Sequence, residues 1–150
     1  MAREPRAISS EIEIDAPIDL VWSILRDCNS YPDWNPFTVS VKTTLELGTP
    51  VDMQVKLRPP KTMHQVEYVS AFVEGKRVCW GGHVGPPWFI TADRCQVLTD
   101  LGAGRTRYFT TDVFRGIGVG LMFFVVGRHV QRGFDDVAGA LKARAEATSV

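Results

Sequence analysis

The sequence has no long apolar run. Its longest, residues 117–126, is about half of a membrane span and is broken by glycines, so stable membrane insertion is not expected. No apolar core stands in the polar start from Met1 to Arg6, so no signal peptide is read there. Charge of one sign is not in excess: 17 basic side chains balance 17 acidic ones. That balance gives no case for a nucleic-acid partner and no polybasic membrane signal. Cysteine is scarce, and Cys28, Cys79 and Cys95 form no CxxC pair. The odd count reads as reduced thiols in a cytoplasmic protein. The histidines, His64, His83 and His129, lie far apart without an HExxH motif, so no metal site is expected, and no cofactor either. No nucleophile–base motif, repeat, low-complexity segment or linker occurs. At 150 residues, with 45% apolar and 23% charged side chains, the chain is expected to form one domain, 1–150, with a real core.

Strand signals dominate what is present. Ile8, Ile12 and Ile14 recur with a period of two and predict a first strand. Asp15-Ala-Pro-Ile-Asp ends it and starts a short helix, with Asp15 as cap and Val21, Trp22 and Leu25 as buried stripe. Ser30 to Pro36 predicts a second short helical turn, capped by Ser30 and stopped by Pro36. Six strands are expected next, over residues 38–44, 51–58, 63–73, 77–84, 88–98 and 105–115, separated by Pro59-Pro60, Glu74-Gly-Lys76, Gly85-Pro-Pro87 and Gly102-Ala-Gly104. Connections this short require antiparallel neighbours.

The last third predicts one long helix after Gly116-Ile-Gly-Val-Gly120. Leu121 to Val126 is apolar on every side, which predicts burial all round. Met122, Val126, Val130, Phe134, Val137 and Leu141 then recur at spacings of three and four. At about 26 residues the helix is about 39 Å long. It is the only element long enough to cover the apolar face of a seven-stranded sheet. A twisted sheet wrapped around one helix leaves a gap, expected here as an elongated apolar cavity. The fold class is therefore α+β: a curved seven-stranded antiparallel sheet around a long C-terminal helix, with two short helices after the first strand. Gly127 and Gly133 stand inside the helix, either to leave room for a ligand or to let the sheet come close.

Ile14 to Asp27, with its IDAPIDLVW opening, and Tyr31-Pro-Asp-Trp-Asn-Pro-Phe37 carry a family likeness. Arg77-Val-Cys-Trp80, Gly104 to Tyr108, Asp112-Val-Phe-Arg-Gly116 and Ala140 to Glu146 support it. Over roughly residues 8–146 the chain resembles the SRPBCC superfamily (START and Bet v 1-like domains) in its polyketide cyclase/dehydrase-like branch. The resemblance implies a helix-grip fold and a cavity for a hydrophobic ligand, lipid- or polyketide-like. Some members catalyse cyclisations or dehydrations, so the fold alone does not fix the function. Where the family often carries histidine and an aromatic, this chain has Arg94 and Gln96. An acidic residue that is commonly Glu there is Asp112 here.

Strand parity puts Tyr108, Thr110, Asp112 and Phe114 on one face of the last strand, and Arg94 and Gln96 in phase with Leu98. Asp112 and Arg94 are the candidate acid–base residues. They are read either as functional, as a structural pair, or as turned to solvent by a bulge. The expected ligand-binding set is Trp34, Phe37, Val55, Trp80, Arg94, Tyr108, Thr110, Asp112, Met122 and Val126. Trp34 and Trp88 are gate candidates with core packing as the alternative. If the Gly85-Pro-Pro87 turn sets the register, Cys79 and Cys95 lie nearly opposite each other; reduced thiols are the expectation, and whether the two can pair stays open. The leading function is binding or transport of a hydrophobic small molecule. The alternatives are a cyclase/dehydratase using the cavity residues, and an interaction domain in which Leu121 to Val126 meets a partner or a second copy as a homodimer.

Overall fold

The strand and helix signals resolve, in a computed structural model that describes residues 4–149, into one sheet and three helices. Strand β1 (Arg6–Ile14) leads to helix α1 (Ile18–Arg26), a 3-10 turn (Cys28–Ser30) and helix α2 (Tyr31–Trp34). Then follow β2 (Thr38–Lys42), β3 (Pro50–Arg58), β4 (Lys61–Val73), β5 (Arg77–Val84), β6 (Ile90–Gly102) and β7 (Arg105–Arg115). Helix α3 (Val119–Thr148) closes the chain. The sheet order is β1-β7-β6-β5-β4-β3-β2, and every pair is antiparallel. This is the helix-grip fold. The sheet curls so that α3 packs against strands near both of its edges, chiefly β1 and then β3.

The inner face follows the two-residue period. Ile8, Ile14, Val78, Trp80, Leu98, Tyr108 and Phe114 are buried. On α3 the buried stripe is Phe134, Val137, Ala138, Leu141 and Ala145, the spacing of a core-facing helix. Gly133 belongs to that stripe for a steric reason. A Cβ there would overlap the ring of Phe37, so the glycine admits Phe37 rather than a ligand. Gly116 has φ of 122°, where a Cβ would overlap the Phe89 carbonyl. That close approach lets the Gly118 amide donate to the Phe89 carbonyl at 2.8 Å and fixes where α3 begins.

Four expectations are corrected. Leu121 to Val126 is not buried all round: Leu121 is 64%, Phe124 88% and Val125 48% exposed. The sheet closes on the C-terminal part of α3, while the first turns lie over an open cavity. Only one side of those turns has anything to pack on. Asp15 does not cap α1; Pro17 takes the cap position, and the Asp15 carboxylate stands 3.7 Å from Arg105, while its backbone amide donates to Glu146 at 2.9 Å. Ser30 stands at the cap position of α2, yet its hydroxyl donates to Asp27 at 2.7 Å. Lastly, Cys79 and Cys95 are joined as a disulfide rather than left as thiols. The β5–β6 register sets them directly opposite with Cα atoms 4.1 Å apart, leaving Cys28 as the free, buried cysteine.

Candidate functional site

Beneath the first turns of α3 lies an open cavity of about 180 Å³. Met122, Val126, Val130 and Phe134 form its roof; Val55, Leu57 and Met63 from β3 and β4 form one wall. Trp80, Ile90 and Phe114 form the other, and Phe37 closes the inner end. Strand alternation makes this surface apolar: each strand turns every second residue inward, and those residues are mostly Val, Ile, Met and Phe.

Three ionisable side chains break the apolar lining, Glu67, Arg94 and Asp112. Arg94 is only 7% exposed. Its Nε donates to Thr110 Oγ1 at 3.1 Å, and its guanidinium lies 4.2 Å over the Phe134 ring. Its Nη2 is buried with no hydrogen-bond partner, and so is Oδ1 of Asp112. The register places Arg94 directly across from Asp112, but no ion pair joins them among the described residues. Thr110 of β7 and Phe134 of α3 hold the arginine instead. Burial raises the Asp112 carboxyl to about 7, against the lowering pull of Arg94. Burial also raises Glu67, to about 8, and repulsion from Asp112 adds to it. Near neutral pH the site is thus one fixed cation beside two carboxyls that hold protons readily.

Of the residues expected to bind ligand, Phe37, Val55, Trp80, Arg94, Asp112, Met122 and Val126 line this cavity. Trp34, Tyr108 and Thr110 lie off its wall. Trp34 packs edge-on against Tyr31 with ring centroids 5.1 Å apart. Tyr108 is fully buried and donates to Gln96 at 2.6 Å, while Thr110 sits behind Arg94 as its hydrogen-bond partner. Trp88 is 65% exposed on the turn before β6. The histidines stand outside the lining; His64 pairs with Asp52 at 2.7 Å, and His83 meets the Gly85 carbonyl at 2.7 Å. Glu67 is the site residue that the sequence pattern did not single out. The signal was available, because Glu67 shares the phase of buried Val69 on β4. Among the described residues no cluster of three metal-ligating side chains exists.

The arrangement can hold an apolar body and offer its polar end one strong donor and one acceptor. Arg94 Nη2 would satisfy a carbonyl, enolate or carboxylate oxygen, and Asp112 Oδ1 a hydroxyl. In either case a ligand would relieve groups that the protein leaves unpaired.

Comparison with known proteins agrees with this architecture. A family model described as polyketide cyclase/dehydrase and lipid transport matches residues 5–146. No curated protein matches the chain in sequence. Among solved structures, a START superfamily protein from Mycobacterium smegmatis is 20% identical, with TM-score 0.72 over 95% of this chain and 98% of that one. The Zhui aromatase/cyclase from a Streptomyces species is 19% identical, with TM-score 0.69 over 97% and 98%. Norcoclaurine synthase from Thalictrum flavum is 12% identical, with TM-score 0.75 over 100% and 99%. At these identities the likeness is one of fold.

Proposed function

The chain belongs to the polyketide cyclase/dehydrase and lipid transport family, and on that premise we propose that it binds and carries an apolar small molecule, lipid- or polyketide-like, beneath α3. The observation that carries this reading is an apolar cavity ending on two buried, unpartnered polar atoms, Arg94 Nη2 and Asp112 Oδ1. Each unpaired buried group costs about 1–3 kcal/mol, and a ligand's polar end recovers part of that. Cytoplasmic residence is part of the same proposal, and the Cys79–Cys95 disulfide weighs against it, since cytosolic reductants oppose such bonds.

Titration with an environment-sensitive apolar fluorophore is expected to give a saturable signal at about micromolar concentration, displaced by fatty acids. Met122→Trp or Val126→Trp should abolish that signal with the fold retained, because both side chains roof the cavity and neither is fully buried. A signal that never saturates, or that both variants preserve, sinks the binding reading.

A second reading, a cyclase or dehydratase, has one observation in its favour: the carboxyls of Asp112 and Glu67 sit near neutrality, where acid–base groups are most effective. Asp112→Asn separates the two. A carrier keeps its ligand affinity within a few fold. An enzyme using Asp112 loses roughly a hundredfold or more of its turnover of a poly-β-ketone surrogate while still binding it.

A further inference from the structure

Three stretches supply most of the cavity lining: residues 54–66, 80–92 and 115–134. They meet in space. Arg58 Nη2 donates to the Val125 carbonyl at 3.3 Å, Arg132 Nη2 to the Leu57 carbonyl at 3.1 Å, and the Gly118 amide to Phe89. None of the three stretches contains an aspartate or glutamate, yet together they hold six of the 17 lysines and arginines and all three histidines. The rest of the chain sets all 17 acidic residues against the other eleven basic ones. The zero net charge therefore conceals an uneven spread: these stretches are free of acid, while Glu67 and Asp112 lie inside the cavity and Asp52, Asp93, Asp135 and Asp136 border the stretches.

The same stretches hold the most apolar part of the surface. Eight of the eleven exposed large apolar side chains among the described residues fall in these stretches, led by Phe124, Trp88 and Leu121. Arg58, Lys61, Arg115, Arg128 and Arg132, all exposed, stand in the same stretches. Acidic relief comes from just outside the basic stretches, where Asp136 stands 3.7 Å from Arg132 and Asp52 2.7 Å from His64.

We propose that this face docks on an anionic lipid bilayer, with the first turns of α3 lying in the interface. Phe124, Leu121 and Trp88 would enter the boundary between headgroups and acyl chains while the arginines meet lipid phosphates. A second copy fits less well, because a two-fold contact sets the same arginines against each other. Nucleic acid fits less well too: the exposed set is mainly aliphatic, and stacking on bases needs aromatics. No helix among the described residues is long and apolar enough to span, so the contact is peripheral. Docking stands on the surface alone; that it lets the cavity exchange ligand with the bilayer rests on the binding reading above.

The test is flotation of the full chain with phosphatidylcholine vesicles, with and without phosphatidylserine. Partition is expected only onto the anionic vesicles and should fall as salt rises. Phe124→Asp should weaken it by about tenfold or more, and Arg58→Glu and Arg128→Glu by about fivefold or more each. None of these side chains lines the cavity, so the fluorophore titration should match wild type in all three variants. That titration reports on the ligand reading separately, so either idea can fail without the other. Equal partition onto neutral vesicles, or variants that float as well as wild type, overturns the proposal. So does absence of flotation from a protein that instead dimerises with concentration or retains RNA.

Discussion

Truncating Phe134 to alanine is expected to cost about 3–5 kcal/mol of stability, the range for large buried aromatics. The side chain is 2% exposed at the centre of α3's buried stripe. It meets Phe37 edge to face, with ring centroids 5.9 Å apart, and supports the Arg94 guanidinium from below. Three losses coincide on its removal: buried apolar area, the aromatic pair, and the ring that faces a buried cation. Collapse cannot fill the hole easily, because Phe37 already fits against Gly133 and has little room to follow. Denaturant unfolding should show a lower midpoint at unchanged slope. Phe134→Leu, which keeps most of the volume, should cost much less. Similar losses in the two variants would mean that Phe134 is not a packing centre.

The same residue shows what the sequence makes legible. Phe134 is one position of a three-and-four spacing, and that spacing places the whole C-terminal part of α3 on the sheet. Strand parity does as much for β6 and β7, since alternation alone puts Arg94, Asp112 and Phe114 on the inner face. Local chemistry carries these elements, and tertiary packing agrees with it. What fails depends on where the partner surface stops. Leu121 to Val126 has the composition of a buried segment, but burial requires something to bury against, and the sheet does not reach around the first turns. Composition cannot report that edge. The capping errors have a different origin. Asp15 and Ser30 are good cap residues whose side chains find other partners: the Asp15 carboxylate stands 3.7 Å from Arg105, and the Ser30 hydroxyl donates to Asp27, three residues back. The uneven spread of charge is hidden by totals, because a sum over the whole chain erases the pattern that three spatially joined stretches reveal. Glu67 is legible only once the inner face of β4 is assigned, and Val69, two residues on, is what assigns it.

Arg94→Met is expected to discriminate between ligands more than it alters the fold. Parity alone leaves open a direct Arg94–Asp112 pair, and breaking a buried pair would cost about 3–5 kcal/mol. The structure holds the arginine on Thr110 and Phe134 instead, with Nη2 unpartnered. Methionine keeps an unbranched stem over the Phe134 ring and removes a buried charge, so the stability change should stay within about 1 kcal/mol. Binding should respond differently. A fatty-acid probe that uses Nη2 loses a charge-assisted hydrogen bond of about 1.5–3 kcal/mol, roughly a tenfold to hundredfold loss in affinity. A neutral apolar fluorophore should keep its affinity. The pH profile gives a second readout. In the wild type, burial raises Asp112 from 3.8 to about 7 and Glu67 from 4.5 to about 8. Between about pH 4 and pH 8 the folded protein therefore holds protons that the unfolded chain has released, so stability should fall as pH rises through that window. Arg94 lowers both carboxyls, so its removal should carry the fall to higher pH. Calorimetric scans of both proteins across the window would measure that displacement. If the two probes lose affinity equally, or the pH profile does not move, Arg94 is a packing residue and the polar end of the ligand must be read elsewhere.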